Sequence, residues 1–209
     1  MIRVLITDDH AVVRRGLKQI LTETSDIEVT GEAETGSQAI QSVRQDAFDV
    51  MLLDISLPDK NGIEVLKQVK KEKPKLAVLM LSMHTEHEFA VRALKAGASG
   101  YLTKQSAPAQ LVTAIRHVAA GKKYISPGLA EALANALGTD AEQPLHEALS
   151  DREFQTLRLI ASGKTLSGIS AELCLSPKTI SVYRSRLLEK LRLKNNSELT
   201  RYVINNRLD

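Results

Sequence analysis

Short apolar runs alternate with longer amphipathic stretches through the first 125 residues of the chain. The runs at Ile2–Thr7, Ile27–Ala33, Asp49–Asp54, Leu76–Ser82 and Gly100–Thr103 predict five strands. Between them, apolar residues recur at helix spacing. The sets are Val12, Val13, Leu17, Ile20 and Leu21; Ala39, Ile40 and Val43; Ile63, Leu66 and Val69; Phe89, Val91 and Leu94; and Leu111, Ala114, Ile115 and Val118. Strict alternation of strand and helix predicts βαβ units, hence a parallel sheet covered by helices on both faces. Val50-Met51-Leu52-Leu53 and Ala77-Val78-Leu79-Met80-Leu81 are continuously apolar, as central strands buried on both faces should be.

The rhythm changes after Gly121. Residues 126–149 read as a linker carrying a short Ala/Leu helix, loosened by Gly138, Asp140, Gln143 and Pro144. From Ser150 every element is helical. Ser150 with Glu153 has the spacing of a capping box, and Gly163 ends that first helix. Thr165 to Leu173 predicts a short second helix. Ser176 and Pro177 open a third, which runs to about Leu191, and Ser197 to Asn206 predicts a fourth. The expected division is a domain over 1–121, a linker over 122–147 and a helical domain over 148–209.

Composition narrows the partners. Aromatic residues make up 3% and Trp is absent, which argues against a stacking surface for single strands or glycans. Residues 131–150 hold four acids and no Lys or Arg, whereas residues 151–209 hold 11 basic and 6 acidic residues. The last domain is the basic one, which favours an anionic partner there. The single cysteine, Cys174, is expected to be a small buried residue, and one cysteine fits a reducing cytosol. No apolar stretch reaches membrane-spanning length and no signal peptide is apparent, so the expectation is a cytoplasmic protein with no membrane partner.

The candidate chemistry sits where the strands end. In open parallel sheets, ligands bind outside the carboxyl ends of the strands. The first strand ends on Asp8-Asp9, the third on Asp54 and the fourth on Ser82, and Lys104 follows the fifth. Adjacent acids at a buried strand end repel and are costly. They become tolerable around a hard divalent cation such as Mg²⁺, with the lysine as a further compensating charge. Taken singly, each residue has a plainer reading. Asp9 caps a helix, Lys104 is a solvated lysine, and Tyr101 is core.

Together, Asp8-Asp9, Asp54, Ser82 and Lys104 on a five-strand α/β chain resemble a bacterial response-regulator receiver domain. The resemblance covers residues 1 to about 121. It implies a flavodoxin-like α/β fold with strand order 2-1-3-4-5 and Asp54 as phosphoacceptor. It further implies that Asp9, Asp54 and the Ser56 carbonyl hold Mg²⁺, with Asp8 acting largely through water. Lys104 would pair with the phosphoryl group and Ser82 would hydrogen-bond it. Tyr101 matches the aromatic switch position. Gln105 stands where many receivers have Pro, and Met83 and His84 follow Ser82 beside the site.

Helix, tight turn and helix is also the geometry of DNA readers, whose second helix enters the major groove. Counting 100° per residue from Ile180, the bulky residues Tyr183, Leu187 and Leu191 share its side, and Lys178, Val182, Ser185 and Glu189 lie opposite. Thr179, Ser181 and Arg186 flank that free face. Arg184 and Arg186 are candidates for phosphate or base contacts, and Val182 could meet a thymine methyl. "LSDREFQTLRLIASGKT" and "LSPKTISVYRSRLLEKLRLKN" resemble the four-helix output domain of the LuxR/NarL family over about 148–209. The resemblance implies double-stranded DNA as partner. It also implies dimerisation through the last helix, with Leu199, Tyr202 and Val203 at the contact. Ser181 and Leu166-Ser167-Gly168 depart from residues common in that family.

The two resemblances predict a non-enzymatic transcription regulator switched by a partner sensor histidine kinase, and a homodimer when active. Two other readings are open. One is a constitutive DNA binder with a vestigial receiver. The other is an aspartate-nucleophile phosphatase of the haloacid dehalogenase type, although Ser56 stands where that chemistry needs a second acid.

Overall fold

The computed structural model describes residues 1–83, 87–125, 129–130, 144–206 and 208. They fall into two compact units, residues 1–138 and 139–209. His84 lies outside the described residues, as does most of the expected linker helix, of which only Leu129 and Ala130 are described as helical.

The first unit is built on five strands: β1 (Ile2–Thr7), β2 (Ile27–Ala33), β3 (Val50–Asp54), β4 (Ala77–Ser82) and β5 (Gly100–Thr103). They form one sheet in the order β2-β1-β3-β4-β5, with every neighbouring pair parallel. The crossovers are α1 (Ala11–Thr22), α2 (Gly36–Gln45), α3 (Gly62–Glu72) and α4 (His87–Lys95), and α5 (Ala107–Ala119) follows β5. Val4, Ile6, Val50, Leu52, Leu79 and Leu81 project from one face into a core with Leu17 and Leu21 of α1 and Leu111, Ala114, Ile115 and Val118 of α5. Alternation along each strand sends Leu5, Met51, Leu53 and Met80 to the other face. The buried sides of α2, α3 and α4 supply that second core through Ile40, Val43, Ile63, Leu66, Val69, Phe89 and Ala93.

Helix starts are marked by side chains. Thr35 accepts from the Gln38 N–H at the head of α2, and Asn61 accepts from the Ile63 N–H at the head of α3. α1 departs from the expected pattern. Its buried residues are Arg14, Leu17 and Leu21, while Val12 is 85% exposed. Positions 14, 17 and 21 share one face of a 3.6-residue helix and position 12 lies opposite, so a charged residue holds a place that the apolar pattern gave to a valine.

The second unit begins with a 3₁₀ turn (Leu145–Ala148) and continues through α6 (Asp151–Ala161), α7 (Leu166–Glu172), α8 (Pro177–Lys190) and α9 (Asn196–Asn205). The capping box of Ser150 and Glu153 forms as the spacing predicts, and Ser176 caps α8 with Pro177 in its first turn. Phe154, Leu157, Ile169, Ile180, Leu187, Leu199 and Val203 fill the core.

Two expectations fail here. Cys174 is exposed; it lies just past the C-cap of α7 in a left-handed conformation (φ 50°), a common way for a helix to stop. Leu199 and Val203, expected at a dimer contact, are 0% and 1% exposed within this unit, so they belong to its own core. Tyr202 is half-buried, and its hydroxyl lies 3.1 Å from His146 Nδ1.

Candidate functional site

The parallel register sets the ends of four strands side by side. Thr7 is level with Leu53, Asp54 with Leu81, and Ser82 with Thr103. The residues at or just beyond those ends therefore meet above one edge of the sheet. Asp8 is 0% exposed and Asp54 is 2% exposed. Lys104 Nζ lies 2.6 Å from Asp8 Oδ2 and 2.8 Å from Asp54 Oδ2. One ammonium thus bridges two buried carboxylates. The contact to Asp54 is a hydrogen bond, whereas Asp8 Oδ2 is ion-paired but accepts no well-directed hydrogen bond.

The chemistry of this cluster follows from its burial. Removal from water pushes the Asp54 carboxyl up to about 6, with the Asp8 charge adding to the rise and Lys104 opposing it. The Ser56 N–H also donates to the Asp54 carboxylate. Burial works against the Lys104 charge, but the charges of Asp54 and Asp8 outweigh it and hold its pKa above the ordinary lysine value. Ser82 is buried beside the site and is hydrogen-bonded by its side chain to Tyr101. Tyr101 itself faces inward, and burial pushes its phenol up to about 12. Met83, next along, is exposed.

Asp9 is the accessible acid of the group. Its Oδ1 lies 2.7 Å from His10 Nδ1. It does not cap α1; instead Asp8 Oδ1 accepts from the His10 N–H at 2.9 Å. One potential ligand atom from each of Asp8, Asp9, His10 and Asp54 lies within 4.8 Å of the others. Three carboxylates against one lysine leave a negative pocket with an acidic opening, compatible with a divalent cation.

The structure brings together Asp8, Asp9, Asp54, Ser56, Ser82, Tyr101 and Lys104. Sequence reading passed over two neighbours. His10 is directly adjacent to the acids. Arg14 donates to the Asp8 carbonyl oxygen at 2.8 Å. The signal for Arg14 was its place on the Leu17–Leu21 face of α1, where a solvated arginine does not belong.

The second candidate surface lies on α8. Lys178, Ser181, Val182, Ser185 and Arg186 are exposed, and Ile180 and Leu187 are buried beneath them. Thr179 and Arg184 are half-buried. Arg184 Nε donates to Asn196 Oδ1 at 2.6 Å, which ties it to α9. Among the described residues no helix is long and apolar enough to cross a membrane.

Comparison with known proteins matches both units. Residues 4–116 match the response regulator receiver domain family, and residues 147–203 match the bacterial regulatory proteins of the luxR family. The response regulator UvrY of Escherichia coli K12 is 38% identical over 205 residues, covering 98% of this chain and 94% of UvrY. A solved structure of RcsB from Salmonella enterica serovar Typhimurium, bound to the promoter rprA with the phosphomimetic BeF₃⁻, superposes with a TM-score of 0.65 at 28% identity. It covers 97% of this chain and 98% of that one. A structure of two RcsB dimers bound to two parallel DNAs matches with a TM-score of 0.60 at 29% identity, over 97% of both chains. The chain belongs to the NarL/FixJ family of response regulators, in which a receiver domain joined to a LuxR-type DNA-binding domain places transcription under the control of phosphorylation.

Proposed function

We propose that Asp54 is the phosphoacceptor, that a sensor histidine kinase is the donor, and that the α8 face carries the response to double-stranded DNA. The observation that carries this reading is the Lys104 ammonium held 2.8 Å from a buried Asp54. An Asp54 oxygen attacks phosphorus, and the P–O bond forms as the P–N bond to the kinase's phosphohistidine breaks. The imidazole leaves with the electron pair. Such transfer needs mainly positioning and charge neutralisation. Lys104, already between Asp8 and Asp54, is within reach of the new phosphoryl oxygens. Ser82 can donate to the same group once it releases Tyr101.

Mg²⁺ fits this pocket, because Asp8, Asp9 and Asp54 offer carboxylate oxygens within 4.8 Å of one another, the donor type that a hard cation takes. Asp9, Asp54 and the Ser56 carbonyl would hold it, with Asp8 behind them. Bound there, it supplies positive charge against the incoming phosphoryl group.

Phosphoryl charge then biases a two-state receiver. On the DNA side, Lys178, Thr179, Arg184 and Arg186 are assigned to phosphates, and Ser181, Val182 and Ser185 to base edges. A homodimer on DNA would use the outward side of α9, where Ile204 is exposed. The protein acts as a cytoplasmic regulator and not as an enzyme. Ser56, in place of the second acid of a phosphatase, supports that reading.

The test is intact mass after incubation with Mg²⁺ and a small acyl-phosphate donor. Wild type gains one phosphoryl group and Asp54→Asn gains none. No gain in wild type, from this donor or from a kinase, would favour a constitutive DNA binder with a vestigial receiver.

A further inference from the structure

Arg14 is charged, lies on the core side of α1 and is only 8% exposed. An aliphatic residue would serve that position at lower desolvation cost. Its partners explain what the guanidinium does there. Nη1 donates to the Asp8 carbonyl oxygen at 2.8 Å, and that bond is buried. Nη2 donates to Glu34 Oε1 at 2.5 Å, and Nε lies 3.5 Å from Glu32 Oε2. Glu32 and Glu34 flank the end of β2; the Glu34 side chain is 62% exposed and that of Glu32 38%. Arg14 thus spans from the β2 end, through the rim of the core, to one backbone atom of the acidic pair.

That atom is informative. The Asp8 carbonyl belongs to the peptide that joins Asp8 to Asp9. Its plane fixes the direction in which the two side chains diverge, Asp8 toward Lys104 and Asp9 toward the opening. The same residue is held at two other points. Its N–H donates to the Ala33 carbonyl at 3.1 Å, and its Oδ1 accepts from the His10 N–H at 2.9 Å. Without Arg14, the carbonyl would lose its guanidinium partner and the peptide could rotate. The positive charge beside the pair also offsets the mutual repulsion of adjacent carboxylates.

We infer that Arg14 is a positioning residue for the cation-binding carboxylates, held in place by Glu34, so that the turn between β1 and α1 is set before any cation arrives. The inference rests on the assignment of Asp8, Asp9 and Asp54 to a divalent cation. Supports of this kind commonly carry 10- to 100-fold of metal affinity.

The test measures direct Mn²⁺ binding by electron paramagnetic resonance, alongside the phosphorylation rate as a function of Mg²⁺ concentration. Arg14→Met keeps much of the aliphatic bulk and removes the donors. It should weaken Mn²⁺ binding about 10-fold or more. The loss should fall on the half-saturating Mg²⁺ concentration more than on the maximal rate. Arg14→Lys, which keeps charge but not the two-pronged geometry, should recover only part of the affinity. Glu34→Gln alters only an exposed carboxylate that holds Arg14 in place and should give a loss smaller than that of Arg14→Met.

Mn²⁺ affinity within twofold of wild type in a folded Arg14→Met protein overturns the inference. Should that variant not fold, unchanged affinity in both Arg14→Lys and Glu34→Gln overturns it equally. Wild type that binds no Mn²⁺ removes the cation site and the inference together. Wild type that binds Mn²⁺ but takes up no phosphoryl group removes only the phosphoacceptor reading, and the Arg14 comparison then stands on binding alone.

Discussion

The two functional surfaces of this chain are built on opposite physical terms. At the strand ends, Asp8, Asp54 and Lys104 are charged and withdrawn from water, and each holds the others in place. On α8, Lys178, Val182, Ser185 and Arg186 are exposed, and the helix beneath them is fixed by other residues, with Ile180 and Leu187 in the core, Arg184 bonded to Asn196 and Lys190 paired with Glu153. The first surface is part of its own scaffold. The second is displayed on a scaffold that would stand without it. Substitutions in the receiver pocket should therefore change stability and chemistry together, whereas those on the DNA face should change binding and leave stability alone.

The sharpest way to break this contrast is Lys104→Met. It leaves two buried carboxylates without their cation, and loss of one partner of a buried pair costs about 3–5 kcal/mol. Urea unfolding of the receiver should show that loss at pH 8 and a smaller one near pH 5, where Asp54 can take up a proton. A loss below about 1 kcal/mol, the range of exposed pairs, would place the cluster in the same class as surface charges.

Next in size is the pH dependence of Asp54, measured with divalent cations chelated. Its pKa is about 6 in the fold against the ordinary 3.8. The folded chain therefore keeps a proton that the unfolded chain releases over that interval. The stabilisation from this proton is complete below pH 3.8 and is lost as the pH rises through 6. Above pH 6 the Asp54→Asn protein should exceed wild type by up to about 3 kcal/mol, and the gap should narrow toward pH 4. A gap independent of pH would show that Asp54 is not desolvated in solution.

The smallest effects belong to α8. Lys178→Ala and Arg186→Ala should leave the unfolding midpoint almost unchanged, within about 0.5 kcal/mol. Each should weaken binding to every duplex alike and lower the salt slope by about 1. An unchanged slope would remove the phosphate assignment. Val182→Ala should instead alter the ranking of DNA sequences, and a uniform loss across them would argue against base readout.

The same contrast explains what could be read from the sequence. Strand ends in a parallel sheet are brought together by topology, so Asp8, Asp54, Ser82 and Lys104 could be placed before any coordinates. The apolar and polar sides of α8 were legible because one helix wheel sorts them. The failures have separate physical causes. Helix spacing alone fits Val12 as well as Leu17 and Leu21, but the arc of α1 that faces the core holds Arg14 and leaves Val12 in solvent. Leu199 and Val203 were assigned to a contact between subunits, although apolar residues one turn apart on a short helix serve its own core first. Cys174 falls in the tight turn between the helix predicted to end at Leu173 and the cap at Ser176, and a turn position outweighs the general tendency of a lone cysteine to be buried.

A last consequence concerns Gly62. A side-chain carbon there would sit 2.0 Å from the Asp54 backbone oxygen, so the head of α3 rests directly on the end of β3. The Gly62 N–H donates to the Ile55 carbonyl at 2.8 Å, and Asn61 is buried and bound to the Ile63 N–H. In mechanical terms this wall is an anvil. On the proposed reading, a phosphoryl group added to Asp54 has close-packed backbone behind it on that side. A side chain at position 62 is expected to press on the Asp54 carbonyl and displace the end of β3, and with it the carboxylate that the pocket is built around.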